Sequence, residues 1–195
     1  MQHISLVNSA HNFIKNILHP GDIAIDATIG NGYDTAFLVE QVCPSGLVFG
    51  FDIQQVAIDS TKEKLKQTNC SNCLQLLHAS HTDMNNIIPT QHHGKIKAIM
   101  FNLGYLPGGD KTIITYTDST IRALNNACHI LSNDGVMTVI AYPGHPGGDE
   151  ETIQVKNWCN QLDIKKFNVN VVFSSLNKPS APRLFVIHKH TNSNE

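Results

Sequence analysis

No apolar run in this chain approaches the roughly 20 residues needed to cross a bilayer, so the sequence offers no transmembrane span. Charge is scarce and nearly balanced: 14 Lys and Arg face 16 Asp and Glu, a formal net charge of −2. That balance argues against holding nucleic acid by bulk electrostatics, and it leaves room for a local basic face. Lys165, Lys166, Lys178 and Arg183 gather toward the C-terminus, and Lys111 lies in a glycine-rich loop. Repeats, low-complexity tracts and linkers are all missing, so residues 1–195 are expected to form one domain with a full core. Hydrophobic content of 41% and charged content of 15% describe a globular chain rather than a disordered one. Residues 1–20 are expected to carry a leading helix, over about 4–18. Leu6, Val7, Ala10, Phe13, Ile14, Ile17 and Leu18 recur there at helical spacing, as in a helix capping a core and not as in a secretion signal.

Cysteine is present in an odd number, five, and without an export signal this suggests reduced thiols and a cytoplasmic protein. Cys70-Ser-Asn-Cys73, followed by His78 and His81, invites a metal or redox reading. A second cysteine pair is lacking, and the motif follows a helix and precedes a strand. Redox pairs sit at helix N-termini, where the dipole lowers the thiol pKa. No metal is expected.

Strands at 23–28, 47–52, 74–79, 96–102 and 135–142 alternate with helices at 34–43, 55–68, 115–131 and 149–161, with a polar His/Gly loop before the fourth strand. Strands at 167–174 and 184–189 close the chain with no helix between them. The pattern predicts an α/β fold: a seven-stranded, mostly parallel sheet with helices on both faces and a C-terminal antiparallel hairpin. Ligands should lie beyond the carboxyl ends of the strands, where their order reverses.

Asp22-Ile-Ala-Ile-Asp-Ala-Thr-Ile-Gly-Asn-Gly-Tyr-Asp-Thr35 fits such a place. A β-branched strand runs into a turn with Gly30 and Gly32, where positive φ is tolerated and a ligand can approach without meeting a Cβ. The following helix directs free N–H groups and a partial positive charge at the same spot. Asp26, at the strand's end, is placed to receive a cationic amine, and Thr28, Asn31, Asp34 and Thr35 complete the turn. Carboxylate, bare turn and helix N-terminus suit a nucleoside that also carries an amino acid, as S-adenosylmethionine does. Leu47-Val-Phe-Gly-Phe-Asp-Ile53 ends in Asp52, about 20 residues on, where an acidic residue accepts both ribose hydroxyls. Ile53, Gln54, Ser80 and His81 would line the rest of the nucleoside pocket. A dinucleotide dehydrogenase would want a third glycine where Thr35 stands.

The predicted sheet resembles that of class I methyltransferases, and the resemblance implies an acceptor at the fourth strand's end, in Asn102-Leu-Gly-Tyr-Leu-Pro-Gly-Gly-Asp-Lys111. An amine that attacks a methyl sulfonium in line must be neutral, with its lone pair aimed at carbon. The Asn102 side-chain oxygen and the Leu103 carbonyl can hold its hydrogens, and Tyr105 can stack on a base. Leu106, Pro107, Gly108 and Lys111 would continue that face. A second glycine loop, Tyr142-Pro-Gly-His-Pro-Gly-Gly148, offers Tyr142 and His145, the latter a proton acceptor or merely a turn filler. Lys178 and Arg183 would meet phosphates.

The sheet and its closing hairpin resemble class I methyltransferases, and Asn102-Leu-Gly-Tyr105 is similar to the Asn-Pro-Pro-Tyr motif of amino-methylating nucleic-acid enzymes, with both prolines replaced. The whole chain resembles a small bacterial family long labelled rRNA methylases, with members assigned as tRNA 5-aminomethyl-2-thiouridine methyltransferases. The resemblance rests on His11, residues 26–35, 102–111 and 142–148, Asn177 and Pro182, and most of all on Asn-Leu-Gly-Tyr-Leu-Pro-Gly-Gly. Thr82 stands where relatives carry glutamate. The resemblance implies S-adenosylmethionine as cofactor and methylation of the aminomethyl nitrogen on the wobble uridine, with the tRNA anticodon region as partner and no membrane. A homodimer is compatible with the sequence. An rRNA methyltransferase, a small-molecule amine methyltransferase and a non-catalytic cofactor- or RNA-binding protein remain the alternatives.

Overall fold

Strand and helix alternate from β1 to α6 in the computed structural model, which describes residues 5–66, 68, 70–106, 108, 114–174, 178 and 180–191. In chain order the elements are α1 (Leu6–Lys15), β1 (Ile23–Asp26), α2 (Tyr33–Val42), β2 (Leu47–Asp52), α3 (Gln55–Leu65), β3 (Leu74–His78) and α4 (Met84–Ile87). Then come β4 (Ile96–Asn102), α5 (Thr117–Ile130), β5 (Leu131–Ala141), α6 (Gly148–Gln161), β6 (Phe167–Phe173) and β7 (Arg183–Lys189).

The strands form one seven-stranded sheet in the order β3-β2-β1-β4-β5-β7-β6. Pairings from β3 to β5 are parallel, and β7 inserts antiparallel between β5 and β6. The expected fold is therefore the observed one. Strand order reverses between β1 and β4, so the crevice for a ligand opens beyond their carboxyl ends.

Both sheet faces are covered, which explains why the central strands read as apolar runs rather than as alternating ones. Ala24, Val48, Ala98 and Val136 point to the face covered by α1 and α2, where Ala10, Ile14, Leu38 and Val42 are buried. Their neighbours Ile25, Phe49, Ile99 and Met137 point to the other face, under Leu124 and Ala127 of α5 and Val155 and Trp158 of α6. The leading helix is thus a core element, capped by Ser5, whose side chain accepts from Asn8 N–H.

Boundaries differ in instructive places. The first strand stops at Asp26 rather than at 28, because the Asp26 side chain takes the Thr28 N–H (3.1 Å) and starts the turn. The His/Gly loop before β4 contains a 3-10 turn at His81–Asp83 and the single turn of α4, anchored by buried Met84 and Ile88. Four residues are too few to show helical periodicity. The expectation of reduced cysteines fails for one pair: Cys43, after α2, and Cys70, before β3, are joined with Cα atoms 6.0 Å apart. Sequence counting could not see that α2 and the segment before β3 end side by side. Cys73, Cys128 and Cys159 are free. Among the described residues no helix is long and apolar enough to cross a membrane.

Candidate active site

A cleft of about 750 Å³ opens at the β1/β4 switch point, lined by the ends of β1, β2 and β4 and by the loops that follow them. The first loop turns tightly after β1. Gly30 takes φ +53, and a Cβ there would meet nothing nearer than Leu106 Cδ1 at 3.7 Å, so its bare face belongs to the cleft. Gly32 serves a different purpose. It caps α2 at φ +72, and an added Cβ would lie 2.3 Å from Thr61 Oγ1 on α3. Its lack of a side chain lets α2 and α3 meet, and it does not line the cleft.

Asp52 organises the wall at the end of β2. Its Oδ2 accepts from Gly30 N–H (2.9 Å) and its Oδ1 from Gln54 N–H (2.8 Å). An ionised carboxylate offers about four acceptor positions, so each oxygen keeps one for a hydroxyl on a ligand. Ile53, Gln54, Ser80 and His81 share this wall. His81 is buried, donates from Nδ1 to the Ala27 carbonyl (3.2 Å), and is held below its ordinary pKa by desolvation. That leaves a neutral ring with Nε2 as an acceptor. Thr82 turns away to bond Ser80 Oγ (2.8 Å).

Asp26 is not where the sequence suggested. It is 1% exposed and lies beneath the turn, accepting from Thr28 N–H and from Thr35 Oγ1 (2.5 Å). Burial first, and then the Asp34 charge, raise its pKa to about 7. Neither Asp26 nor Thr35 reaches the cleft; both stiffen the loop that does. Thr28 lines the cleft, and its Oγ1 accepts the Asn102 N–H (2.7 Å) across the switch point.

Asp34, in the first turn of α2, is a second carboxylate beside Asp52 that lines the cleft, and Asn31 lines it too. Asp34 Oδ1 is 2.6 Å from His11 Nε2, and its Oδ2 is 3.5 Å from Asn102 Nδ2. Burial, with the Asp34 charge second, raises the Tyr142 pKa and keeps that phenol protonated.

At the ends of β4 and β5, Asn102, Leu103, Tyr105, Leu106, Tyr142 and His145 meet in the same cleft. His145 Nδ1 lies 3.0 Å from the Pro146 carbonyl, which can only accept, so that nitrogen carries the proton. In the neutral ring Nε2 then holds the lone pair, and among the described residues this atom is buried with no hydrogen-bond partner. The ring fits between Gly104 and Gly148, where added Cβ atoms would come within 3.5 Å and 2.7 Å of Nε2, and it meets Tyr105 edge to face. Gly104 is held from behind. Its N–H donates to Thr115 Oγ1 (2.9 Å), and that hydroxyl donates to Glu151 Oε2 (2.8 Å).

Gly108, Lys178 and Arg183 do not line the cleft, although Ser180 and Pro182, beside the last two, do. Pro107, Lys111 and Asn177 lie outside the described residues. Sequence reasoning missed Val7 and Tyr33 on one rim and Tyr116 on the other. It also missed Glu151, buried at 2% exposure with both oxygens accepting from threonine hydroxyls. An acidic residue in a first helical turn is an ordinary dipole partner, so no signal marked it. Among the described residues, no group of three or more His, Cys, Asp or Glu could hold a metal ion.

The chain matches the family described as "Putative rRNA methylase" over residues 48–189. It is 38% identical over 191 residues to the chloroplastic tRNA (mnm(5)s(2)U34)-methyltransferase of Arabidopsis thaliana, an alignment covering 94% of this chain and 69% of that protein. A crystal structure of a "putative rRNA-methylase" from Clostridium thermocellum superposes with a TM-score of 0.90 at 39% identity, covering 97% of this chain and 100% of that one. A Streptococcus mutans "putative methyltransferase", solved in complex with SAH, gives 0.84 at 33% identity, covering 96% and 99%.

Proposed function

The chain belongs to the "Putative rRNA methylase" family, S-adenosylmethionine-dependent methyltransferases of the class I fold, and from that premise we propose that it methylates the aminomethyl nitrogen of wobble 5-aminomethyl-2-thiouridine in tRNA. The observation that carries the reading is Asn102, whose amide stands at the β1/β4 switch point inside the cleft, next to the Leu103 backbone. Two adjacent oxygen acceptors at that point match a primary amine, which has two hydrogens to give. The relative from Arabidopsis thaliana is named for the methylated wobble nucleoside, which favours the same acceptor.

The cleft's residues fit the cofactor. Asp52 has acceptor capacity for the ribose hydroxyls, Gly30 leaves room for close approach, and His81 and Ser80 wall the base. When bound, S-adenosylmethionine supplies an electrophilic methyl group on a positively charged sulfur. Asn102 Oδ1 and the Leu103 carbonyl hold the amine hydrogens and aim its lone pair, an orientation effect worth orders of magnitude in rate. Tyr105 stacks on the uracil ring. His145 Nε2, already the unprotonated nitrogen, takes the proton that the methylated amine sheds. The anticodon backbone lies along the rim at Ser180 and Pro182, where exposed Lys178 and half-buried Arg183 meet its phosphates.

Nucleoside mass spectrometry of a deletion strain tests the proposal. Its tRNA should accumulate 5-aminomethyl-2-thiouridine and lack the methylated form, and the purified protein with S-adenosylmethionine should restore it. Unchanged tRNA together with a lost methyl group in rRNA would overturn the assignment in favour of a ribosomal acceptor.

A further inference from the structure

We propose that His11 is a positioning residue for the acceptor amide: it holds Asp34, and Asp34 decides which arm of the Asn102 side chain faces the cleft. The inference rests on the role given to Asn102 above. His11 sits in the middle of α1, on the leading helix, 23 residues from the carboxylate it meets. A carboxylate at 2.6 Å can only accept, so His11 Nε2 carries the hydrogen. The ring has little freedom to leave that geometry. It lies flat on Phe37 of α2, with centroids 3.9 Å apart and planes 3° from parallel.

Asp34 then acts on Asn102. The amide is planar, with an oxygen acceptor on one arm and a nitrogen donor on the other, and backbone geometry alone does not choose between them. The Asp34 Oδ2 atom beside it makes the choice. An amide oxygen turned toward a buried carboxylate would be repelled, and an amide NH2 is attracted. The 3.5 Å separation is long for a hydrogen bond, but the sign of the interaction still selects the arm. Asn102 Oδ1 therefore points away from Asp34, free to accept from an amine. In the flipped state the NH2 group would face the amine's own hydrogens, and no acceptor would aim the lone pair.

His11 matters because Asp34 lies near a second acid, Asp26. The Asp34 charge is felt by Asp26, and Asp52 adds to it. A donor on Oδ1 compensates the Asp34 charge, fixes the rotation of the carboxylate and keeps Oδ2 on Asn102. The helix at the start of the chain thus completes the site at the centre of the sheet.

Two variants of similar reach separate this role from simple packing. His11→Gln keeps an N–H donor for Asp34, and His11→Met fills the space without one. In single-turnover methyl transfer to precursor tRNA, with cofactor and RNA saturating, His11→Gln should stay within about threefold of wild type, and His11→Met should fall at least about tenfold. Cofactor affinity and RNA affinity should be unchanged in both. In an Asn102→Ala background, His11→Met should cost nothing further, because its effect passes through that amide. Equal rates for the two variants, or losses that multiply with Asn102→Ala, would overturn the proposal. A wild-type protein inert on this RNA counts against the substrate assignment instead. The side-chain amide resonances of Asn102 still decide the His11 role in that case: they should move in His11→Met and hold in His11→Gln, and equal spectra would refute it.

Discussion

On the β1–β2–β3 side of the cleft the polar groups hold one another. Asp52 joins Gly30 to Gln54, Asp26 joins Thr28 to Thr35, and His81 is tied to Ala27. On the β4–β5 side the backbone is held from behind, through Gly104, Thr115 and Glu151, while the atoms facing the cleft are less committed. Among the described residues, His145 Nε2 is buried without a partner, and the Asn102 side chain has a long contact to Asp34. The first arrangement is finished before a ligand arrives, so binding there costs little reordering. The second is left open to a ligand, and under the proposed function the hydrogens that would satisfy it belong to the incoming amine. A buried unpaired acceptor is costly, and it lies on the side where the proposed function puts the chemistry.

If that contrast is right, substitutions on the two sides should separate turnover from binding. The largest effect is expected from Asn102→Ala, which should slow single-turnover methyl transfer by on the order of 10²-fold or more and leave cofactor affinity intact. A wild-type rate would make Asn102 only a strand end and move attention to His145 and Tyr105. Asp52→Ala should do the reverse. Calorimetry should show cofactor binding weakened by about 1–3 kcal/mol, because the ribose loses charge-assisted bonds and the turn loses its brace. The rate at saturating cofactor should change far less. Unchanged affinity in a folded Asp52→Ala protein would break the comparison on the nucleoside side.

Legibility from sequence follows the same divide. The strand-turn-helix pattern marked Gly30 and Asp52 because their work is local or recurs at a fixed spacing. Asn102 drew notice because β4 runs apolar from Ala98 to Phe101 and ends on a polar residue, which the structure places in the cleft. Gly30 and Gly32 looked alike, and only the approach of Thr61 on α3 separates a ligand glycine from a packing glycine. Asp26 looked like a ligand group and is a buried brace, since a one-dimensional pattern does not say which way a strand's last side chain turns. His11 with Asp34, and Glu151 with Thr115, are 23 and 36 residues apart. Such pairs arise from helix packing across the sheet, and no periodicity encodes them. The Cys43–Cys70 pairing was hidden for the same reason.

The smallest effect concerns what the finished side costs. Asp26, Asp34 and Asp52 lie close enough that both neighbours raise the Asp26 pKa, after burial, to about 7 from an ordinary 3.8. The folded protein therefore keeps a proton on Asp26 that the unfolded chain gives up. Below about pH 4 both states are protonated and the group is neutral to stability. As pH rises from about 4 to about 7, the unfolded state gains by ionising and the folded state does not, so stability falls; above about 7 the loss is constant. Asp26→Asn imitates the protonated form, still accepting from Thr28 N–H while Thr35 rotates its hydroxyl. Denaturant unfolding across this range should show a declining stability for wild type relative to Asp26→Asn, a difference in which other titrating groups cancel. A bound cation relieves the same repulsion, so saturating S-adenosylmethionine, with its sulfonium and ammonium charges, should narrow the gap more than SAH, which lacks the sulfonium. Parallel pH curves for the two proteins would mean that the acidic cluster is not strained, and that the prebuilt side of the cleft carries no electrostatic cost for the cofactor to relieve.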